Sequence, residues 1–271
     1  MSLAMISAAF HWHPDPVLVS FGPVAVRWYG LFFAAAFLVG YWVTAQIYRR
    51  DGRDPSSLDP LLMYMLIGTL IGARLGHVLF YDPQYYLANP LDIVKVWEGG
   101  LASHGGAAGI LIALWLYTRK PGRPSYLWLL DRVAIPTALG GFFIRMGNFF
   151  NSEILGTPTS VPWAVVFDRV DPISRHPVQL YEAFAYLLIF VVLALVYLQQ
   201  AETHPGGLLL GLFLTLVFSA RFVLEFVKTP QAAYEAGLAL TVGQLLSIPF
   251  ILVGLALIVR ARAGAARHRD A

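Results

Sequence analysis

The sequence predicts an all-α integral membrane protein with about seven transmembrane helices and a small periplasmic head, its N-terminus outside and its C-terminus in the cytoplasm. Hydrophobic residues make up 58% of the 271 residues and charged residues only 13%, against roughly a quarter in a soluble domain. Apolar stretches of about 20 residues, the helical length that crosses a ~30 Å hydrocarbon layer, recur along the chain. A water-soluble globule is therefore excluded.

The predicted spans follow one another through most of the chain. They cover about 27–47, 60–80, 104–119, 129–149, 178–198, 206–227 and 241–260. The third is short and glycine-rich, which predicts that its beginning is buried in protein and does not face lipid. After the fourth span, residues 162–168 are mostly β-branched and aromatic, which predicts a short strand in the head.

The basic residues predict the orientation of these spans. Those that follow spans one, three and seven fall on one side of the membrane: Arg49, Arg50, Arg53, Arg119, Lys120, Arg123, Arg260, Arg262, Arg267 and Arg269. Because cytoplasmic loops carry an excess of lysine and arginine, this side is predicted to be cytoplasmic. The chain then divides into a periplasmic N-terminal arm 1–26, spans one to four 27–149, a periplasmic head insertion 150–177, spans five to seven 178–262, and a basic cytoplasmic tail 263–271.

Four arginines lie within the predicted spans or at their outer ends: Arg27, Arg74, Arg145 and Arg221. A fifth, Arg132, opens span four, where its long side chain can reach the headgroups. An arginine at mid-helix costs about 2.5–3.5 kcal/mol on insertion, so these residues must face partners or a hydrated cavity. Arg221 and Glu225, four apart on one helical face, could simply neutralise each other. Arginines converging from four helices would instead bind a polyanion such as a lipid phosphate, because the guanidinium fork matches phosphate oxygens.

The densest polar segment near a predicted membrane boundary runs from Arg145 to Gly156. Asn148 and Asn151 share a helical face with Arg145 if the helix persists. Glu153 is placed to anchor that arginine or a substrate hydroxyl. Asparagine and glycine at a helix end also terminate it through a left-handed cap, which is the structural alternative.

His104 opens span three after Ser103, a candidate N-cap, and before two glycines. The helix dipole would favour the neutral, basic imidazole, and the glycines would let a substrate approach the backbone closely. A lone histidine is otherwise more often structural. Span five opens on the polar segment 175–182, which is interpreted as capping that helix and bracing the head. Tyr29 in span one and Gln244 in span seven are further candidates for polar residues that face the interior of the protein. Tyr29 also suits the position of an aromatic residue at the membrane interface.

Together these segments resemble the bacterial prolipoprotein diacylglyceryl transferases, a family of integral inner-membrane enzymes. The most specific element is Arg145–Gly156, which is similar to the family signature Gly-Arg-x-Gly-Asn-Phe-x-Asn-x-Glu-x-x-Gly. Supporting matches are Trp28–Gly30, Trp97–Gly100 with His104–Gly106, Arg175–Pro177 with Gln179–Glu182, and Arg221 with Glu225–Phe226. Three positions depart from the family pattern: Ile144 replaces a glycine, Val217 a tyrosine and Arg27 a histidine.

The resemblance implies transfer of the diacylglyceryl group of phosphatidylglycerol to the lipobox cysteine thiol in a prolipoprotein signal peptide, with glycerol phosphate released. The enzyme would act as a multi-pass protein among the lipids of the bacterial inner, cytoplasmic membrane. The chain contains no cysteine, which agrees with a sulfur nucleophile supplied by the protein substrate. No cofactor, metal or nucleic acid is expected.

The expected site has a catalytic set and a substrate-binding set. His104 accepts or steers the thiol proton, while Arg145 and Arg221 clamp the lipid phosphate. The remaining substrate-binding residues are Tyr29, Asn148, Asn151, Glu153, Gly156 and Glu225, the last orienting Arg221. Arg27 and Arg74 have only span membership in their favour, so a structural role is expected for them.

Two other classes of function remain open at this point. One is an anion or lipid transporter with an arginine-lined path, which would need polar residues at successive depths of the membrane. The other is a scaffold that binds lipid without catalysis. The candidate residues gather toward the outer halves of the spans, which favours the enzyme over a conduit.

Overall fold

The computed structural model describes residues 10–22, 24–199, 206–229 and 240–269. The chain falls into two compact units. The first joins Met1–Trp42 to Asp131–Ala271, and the second is Val43–Leu130.

All seven predicted helices form. In chain order, with one additional short helix, they are α1 (Trp28–Arg50), α2 (Leu58–Phe80), α3 (Pro83–Ala88), α4 (Ser103–Thr118), α5 (Tyr126–Asn151), α6 (Val178–Gln199), α7 (Leu208–Leu224) and α8 (Val242–Arg269). The sequence did not indicate α3. The last helix extends well past its predicted end, so most of the predicted basic tail is helical.

Six helical segments among the described residues are long and apolar enough to cross a membrane, judged by length and composition. The helix α4 does not reach that length. Its 16 residues give about 24 Å at 1.5 Å per residue, less than the ~30 Å of a hydrocarbon layer. The chain is thus a helical, multi-pass membrane protein. The helix predicted to be short is short, and that it spans the membrane stays a prediction.

Within the second unit, α2 and α4 pack backbone against backbone through glycines. A Cβ atom on Gly105 would collide with the carbonyl oxygen of Gly72, and one on Gly109 with that of Gly68. Only glycine permits so close an approach between helices. The structure therefore gives Gly105, beside His104, a packing role in place of the expected access for a substrate.

The buried side chain of Arg74 organises the loop between α2 and α4. Its guanidinium donates hydrogen bonds to four carbonyl oxygens, those of Asp92 (2.5 Å), Ile93 (2.8 Å), Gly99 (2.6 Å) and Gly100 (3.2 Å). It also stacks on the ring of Tyr86, 4.9 Å from the centroid. One permanently charged guanidinium thus supplies donors to four loop carbonyls, of which that of Asp92 also accepts from the N–H of Lys95. The structural role expected for Arg74 is confirmed.

The head contains a three-stranded sheet in the first unit. The strand predicted in 162–168 is present as Val165–Phe167; it pairs in parallel with Phe10–Trp12 and antiparallel with Ser174–Arg175. Phe149, at the end of α5, packs with Val165 and Phe167, and Trp12 stacks on Phe149 at 4.4 Å between ring centroids. The N-terminal arm is thereby tied to the head, a pairing that the sequence did not predict.

Two arginine positions differ from prediction. Arg27 is exposed and ends the second strand of an antiparallel hairpin formed by Val17–Phe21 and Val24–Arg27, so it precedes α1 and is not inside it. Arg132 is buried in α5, 4.0 Å from Asp131, and does not extend outward. The cause is that α5 begins at Tyr126, which places Arg132 in its second turn and not at its end.

Candidate active site

The site is built around the end of α5. The helix closes with the backbone N–H of Ser152 bonded to the carbonyl of Phe149 (3.1 Å) and that of Glu153 bonded to the carbonyl of Asn148 (2.9 Å). These are the two hydrogen bonds of a Schellman cap, whose left-handed residue is usually glycine. Here it is Ser152, at φ 56°, and Ile154 shares that φ. The left-handed cap considered as the structural alternative is present, but its left-handed residue is a serine and not an asparagine or glycine. Strained backbone of this kind is concentrated at functional sites.

Replacing Ser152 by glycine is expected to stabilise the protein. A non-glycine residue in the left-handed region costs about 1–2 kcal/mol, while glycine loses about 0.5–1 kcal/mol more entropy on folding. The net gain is between about 0 and 1.5 kcal/mol, and Ser152→Val should instead destabilise. Thermal unfolding in detergent measures both changes. The matched control is Ser160→Gly at an exposed loop position. An equal gain in stability there would show that backbone strain at Ser152 is not the cause of the effect.

Arg145 is held from two sides. Its Nε lies 2.6 Å from Oε2 of Glu182, an ion pair that lacks the alignment of a hydrogen bond. Its Nη1 donates to Oδ1 of Asn148 at 3.1 Å. Both Arg145 and Glu182 are buried, at 8% and 1% exposure. The guanidinium is therefore fixed before any substrate arrives, the preorganisation that electrostatic catalysis requires.

The polar network continues from Asn148 toward the surface. Its amide nitrogen donates to Oε2 of Glu153 at 3.1 Å, and the amide of Asn151 donates to Oε1 of the same carboxylate at 3.2 Å. Gln179 of α6 donates to the backbone oxygen of Glu153 at 2.6 Å. The Oδ1 of Asn151 is buried without a hydrogen-bond partner among the described residues. It can therefore accept a hydrogen bond from a hydroxyl group of a ligand.

Glu182 is shared between two cations. Besides Arg145, it faces Nζ of Lys228, 3.8 Å from its Oε1, and Lys228 also contacts Glu225 at 3.3 Å. The predicted direct pairing of Arg221 with Glu225 is replaced by this Lys228 contact, because α7 ends at Leu224 and Glu225 begins a 3₁₀ turn. Glu225 acts on Arg221 at longer range.

Arg221 approaches the same cluster from α7. It is half-buried and interacts electrostatically with the hydroxyl of Tyr186 and the carboxylate of Glu182. Arg145, Arg221 and Lys228 thus face two buried or half-buried carboxylates. The third carboxylate of the cluster, Glu153, is exposed, so the three cations exceed the carboxylates only in the poorly hydrated interior. There the excess positive charge favours an anionic ligand.

Tyr29 joins the cluster from α1. Its ring packs on Gly147, where a Cβ would lie 2.9 Å from the ring, and its hydroxyl interacts with the charges of Glu153 and Arg145. Gly156 lies behind the cluster: a Cβ there would collide with the carbonyl oxygen of His176. The need for glycine at this position is therefore one of backbone packing, and a direct substrate contact there stays a prediction.

His104 is exposed on the first turn of α4, in the second unit. The N-cap of α4 is Ala102 and not Ser103, because the Ala102 N–H bonds to the carbonyl of Ala73 in α2 (2.9 Å) and fixes the chain one residue earlier. Ala102 offers no side-chain cap. Gln244 also has a structural explanation, since it exchanges hydrogen bonds with Thr241 in a capping box at the start of α8.

Two members of the cluster were not predicted from the sequence. Glu182 was assigned to helix capping, and Lys228 was not singled out. The available signal was the carboxylate itself, since Glu182 lies in an otherwise apolar helix, and an ionisable residue in such a helix has a partner to be found.

Fold and site together define a multi-pass membrane protein with a buried cationic cluster suited to an anionic group. A family model described as prolipoprotein diacylglyceryl transferase matches residues 16–260. The chain belongs to this family.

Three relatives carry the name phosphatidylglycerol–prolipoprotein diacylglyceryl transferase. The protein of Tolumonas auensis is 56% identical over 92% of this chain and 96% of its own length. That of Chloroherpeton thalassium is 51% identical over 93% and 94%. That of Porphyromonas gingivalis is 45% identical over 94% and 96%.

Proposed function

We propose that this protein transfers the diacylglyceryl group of phosphatidylglycerol to the lipobox cysteine of prolipoproteins. The observation that carries the proposal is the buried guanidinium of Arg145, fixed between Glu182 and Asn148 beside two further cations. Phosphatidylglycerol supplies the anion that this cluster suits, and the names of the relatives supply the reaction.

In the proposed reaction the cysteine sulfur attacks the glyceryl carbon that carries the phosphate. A carbon–sulfur bond forms, the carbon–oxygen bond to phosphate breaks, and the thiol loses its proton. The leaving glycerol phosphate gains negative charge as that bond breaks. Arg145 and Arg221 stabilise this charge with donors that are already in place, which lowers the barrier more than it stabilises the bound lipid.

The remaining residues of the cluster orient the lipid headgroup. Tyr29, Asn148, Asn151 and Glu153 offer hydroxyl, amide and carboxylate groups that suit the hydroxyls of glycerol. The unpaired Oδ1 of Asn151 is the clearest acceptor for such a hydroxyl. The charges of Glu225 and Lys228 determine the electrostatic potential around Arg221. Gly156 allows the backbone at His176 to pack closely against it.

We assign the thiol proton to His104. Because a thiolate attacks far better than a thiol, replacing His104 by glutamine should lower kcat by about a hundredfold or more with little change in KM. Glutamine keeps hydrogen-bonding capacity but cannot act as a base. Initial rates of glycerol phosphate release measure the effect, and Ser103→Ala serves as an exposed neighbouring control. Full activity of His104→Gln would show that His104 is not the base. Activation of the thiol would then be assigned to the arginines, whose positive charge lowers the thiol pKa.

In the proposed arrangement the protein lies in the inner membrane with seven spans. The helix α4 is the seventh. The basic residues at the C-terminal ends of α1 and α8, and those in the loops that follow α1 and α4, lie in the cytoplasm. The N-terminal arm 1–26 and the head 150–177 lie on the periplasmic side, where secreted prolipoproteins emerge. Labelling of single cysteines introduced at exposed Arg169 and Arg119 by an impermeant reagent tests this, since only the former should react in intact cells.

The activity is tested by supplying purified protein with phosphatidylglycerol and a lipobox peptide. Stoichiometric release of glycerol phosphate and a thioether-modified peptide is the expected result. Anion flux across liposomes without lipid turnover would support a transporter instead. Binding of phosphatidylglycerol without release of glycerol phosphate would support a scaffold.

A further inference from the structure

A second cationic cavity lies in the unit Val43–Leu130, formed by residues outside the proposed catalytic set. It has a volume of about 380 Å³ and is lined by the two loops that precede α2 and α5, together with Tyr48 of α1. Its two cations are Arg53 and Arg123. Small-molecule sites occupy about 300–1,000 Å³, so this cavity is large enough for a phosphate ester.

Both arginines of this cavity are held by aromatic rings. The guanidinium carbon of Arg53 lies 4.2 Å from the ring centroid of Trp128, and that of Arg123 lies 4.8 Å from the ring centroid of Tyr117. Arg123 also donates from Nη1 to the Tyr117 hydroxyl at 3.1 Å, and that hydroxyl donates to the carbonyl of Ser57 at 2.9 Å. Stacking on a ring fixes the orientation of each guanidinium group. Most of its five N–H donors remain available to a ligand.

Neither guanidinium is neutralised by an ion pair in the part of the chain that the structure describes. Both side chains are half-buried, where an unpaired charge is less well hydrated than at an open surface. The lining includes one carboxylate, Asp54, whose two oxygens accept hydrogen bonds from the backbone and hydroxyl of Ser56. Those bonds hold the pKa of Asp54 below its usual range, so the carboxylate is ionised. The two guanidiniums still outnumber it.

We propose that this cavity binds a phosphate group, from either a lipid headgroup or a soluble phosphate. Two separate forks suit a tetrahedral anion whose several oxygens can accept from both, whereas a planar carboxylate is satisfied by one. The lining residues lie at the ends of the membrane-length helices α1, α2 and α5, which is where lipid phosphates are found. The glycines Gly52 and Gly122, at φ 66° and 74°, provide the tight turns that bring the two loops around the cavity.

The test uses the full-length protein in dodecyl maltoside, a detergent without phosphorus, and labelled inorganic phosphate as the probe. Arg53→Gln and Arg123→Gln should each weaken phosphate binding about tenfold or more, the usual effect of losing a charge-assisted contact. The matched control is Arg119→Gln. Arg119 is exposed and stacks on Trp115 at 4.5 Å, so it shares the charge and the ring contact but does not line the cavity. Affinities of both cavity variants within twofold of the control would overturn the proposal.

Phosphate bound at the proposed catalytic arginines contributes equally to every variant and cancels in the comparison. Retained turnover of phosphatidylglycerol shows that each variant is folded. Should an arginine variant fail to fold, Ser57→Asp adds a carboxylate to the lining at a helix N-cap, where aspartate is favoured. It should also weaken binding tenfold, while Ser125→Asp, at the corresponding position before α5 and outside the lining, should not. Unchanged binding in Ser57→Asp likewise overturns the proposal.

A competition arm distinguishes the two sources of phosphate. Dihexanoyl phosphatidic acid that displaces the label at a concentration at least tenfold below inorganic phosphate supports a lipid headgroup. Equal potency supports recognition of the phosphate alone and a soluble ligand. Either result, together with the loss in Arg53→Gln and Arg123→Gln, supports the site.

Discussion

Replacing Arg145 by alanine is expected to lower kcat by about 100- to 1,000-fold, the usual effect of removing one preorganised donor from a developing anion. The protein should remain folded, because Glu182 keeps Lys228 as a partner at 3.8 Å and is not left alone in the interior. Arg145→Lys should recover little activity, since a point charge cannot reach Glu182 and Asn148 at once. Glycerol phosphate release over a range of lipid concentrations gives kcat and KM separately.

The control for Arg145 is Arg169→Ala, which removes an exposed arginine from the head and should leave both constants unchanged. Arg221→Ala is expected to match Arg145→Ala in kcat, because both guanidiniums are assigned to the same leaving group. A rate for Arg145→Ala within a few-fold of wild type would contradict the assignment of Arg145 to the lipid phosphate. The transferase activity would then need another source of leaving-group stabilisation.

The second large effect concerns stability. Replacing Arg74 by methionine keeps most of its length but removes the side-chain donor of the carbonyls of Asp92, Ile93, Gly99 and Gly100. The carbonyl of Asp92 keeps a second donor, the N–H of Lys95. A buried carbonyl left without a donor costs about 1–3 kcal/mol, and these partly buried carbonyls regain part of that by binding water. A total loss of about 3 kcal/mol corresponds to an apparent Tm lowered by about 6 °C for a chain of this size.

Thermal unfolding in detergent measures the effect of Arg74→Met, with Arg49→Met as the control. Arg49 is an exposed arginine at the end of α1, so its loss should shift the Tm little. A shift below about 2 °C for Arg74→Met would mean that the loop 90–100 is held by other contacts. That outcome would contradict the structural role assigned to Arg74.

Hydropathy was sufficient to place the helices, because burial in lipid demands long apolar segments whatever their tertiary partners. It failed at boundaries set by specific pairing. Arg27 belongs to a hairpin strand because Val17–Phe21 pairs with it, and the α4 cap moves to Ala102 because α2 bonds that residue. Neither interaction leaves a local pattern in the sequence.

The candidate site was predictable in its local part only. Arg145 and Asn148 are three residues apart in one helix, so helical geometry predicts their contact. Glu153 lies two residues past the helix end, and the left-handed cap at Ser152 turns it back to Asn148. Glu182 and Lys228 come from other elements, and their contacts depend on helix packing that a single sequence does not reveal. When the partner of a charged residue lies on another helix, the sequence shows only a charge in an apolar segment. Its insertion into the membrane costs free energy, and the sequence does not show which partner offsets that cost.

The short helix α4 has a consequence for the bilayer. In the proposed seven-span arrangement, a helix of about 24 Å in a ~30 Å layer creates hydrophobic mismatch, which thinning of the bilayer or coverage by neighbouring protein must relieve. His104 lies in the first turn of this helix, so in the proposed orientation the depth of its imidazole relative to the lipid phosphates varies with acyl-chain length. Vesicles of graded thickness should therefore show graded turnover, making the membrane itself a variable of catalysis.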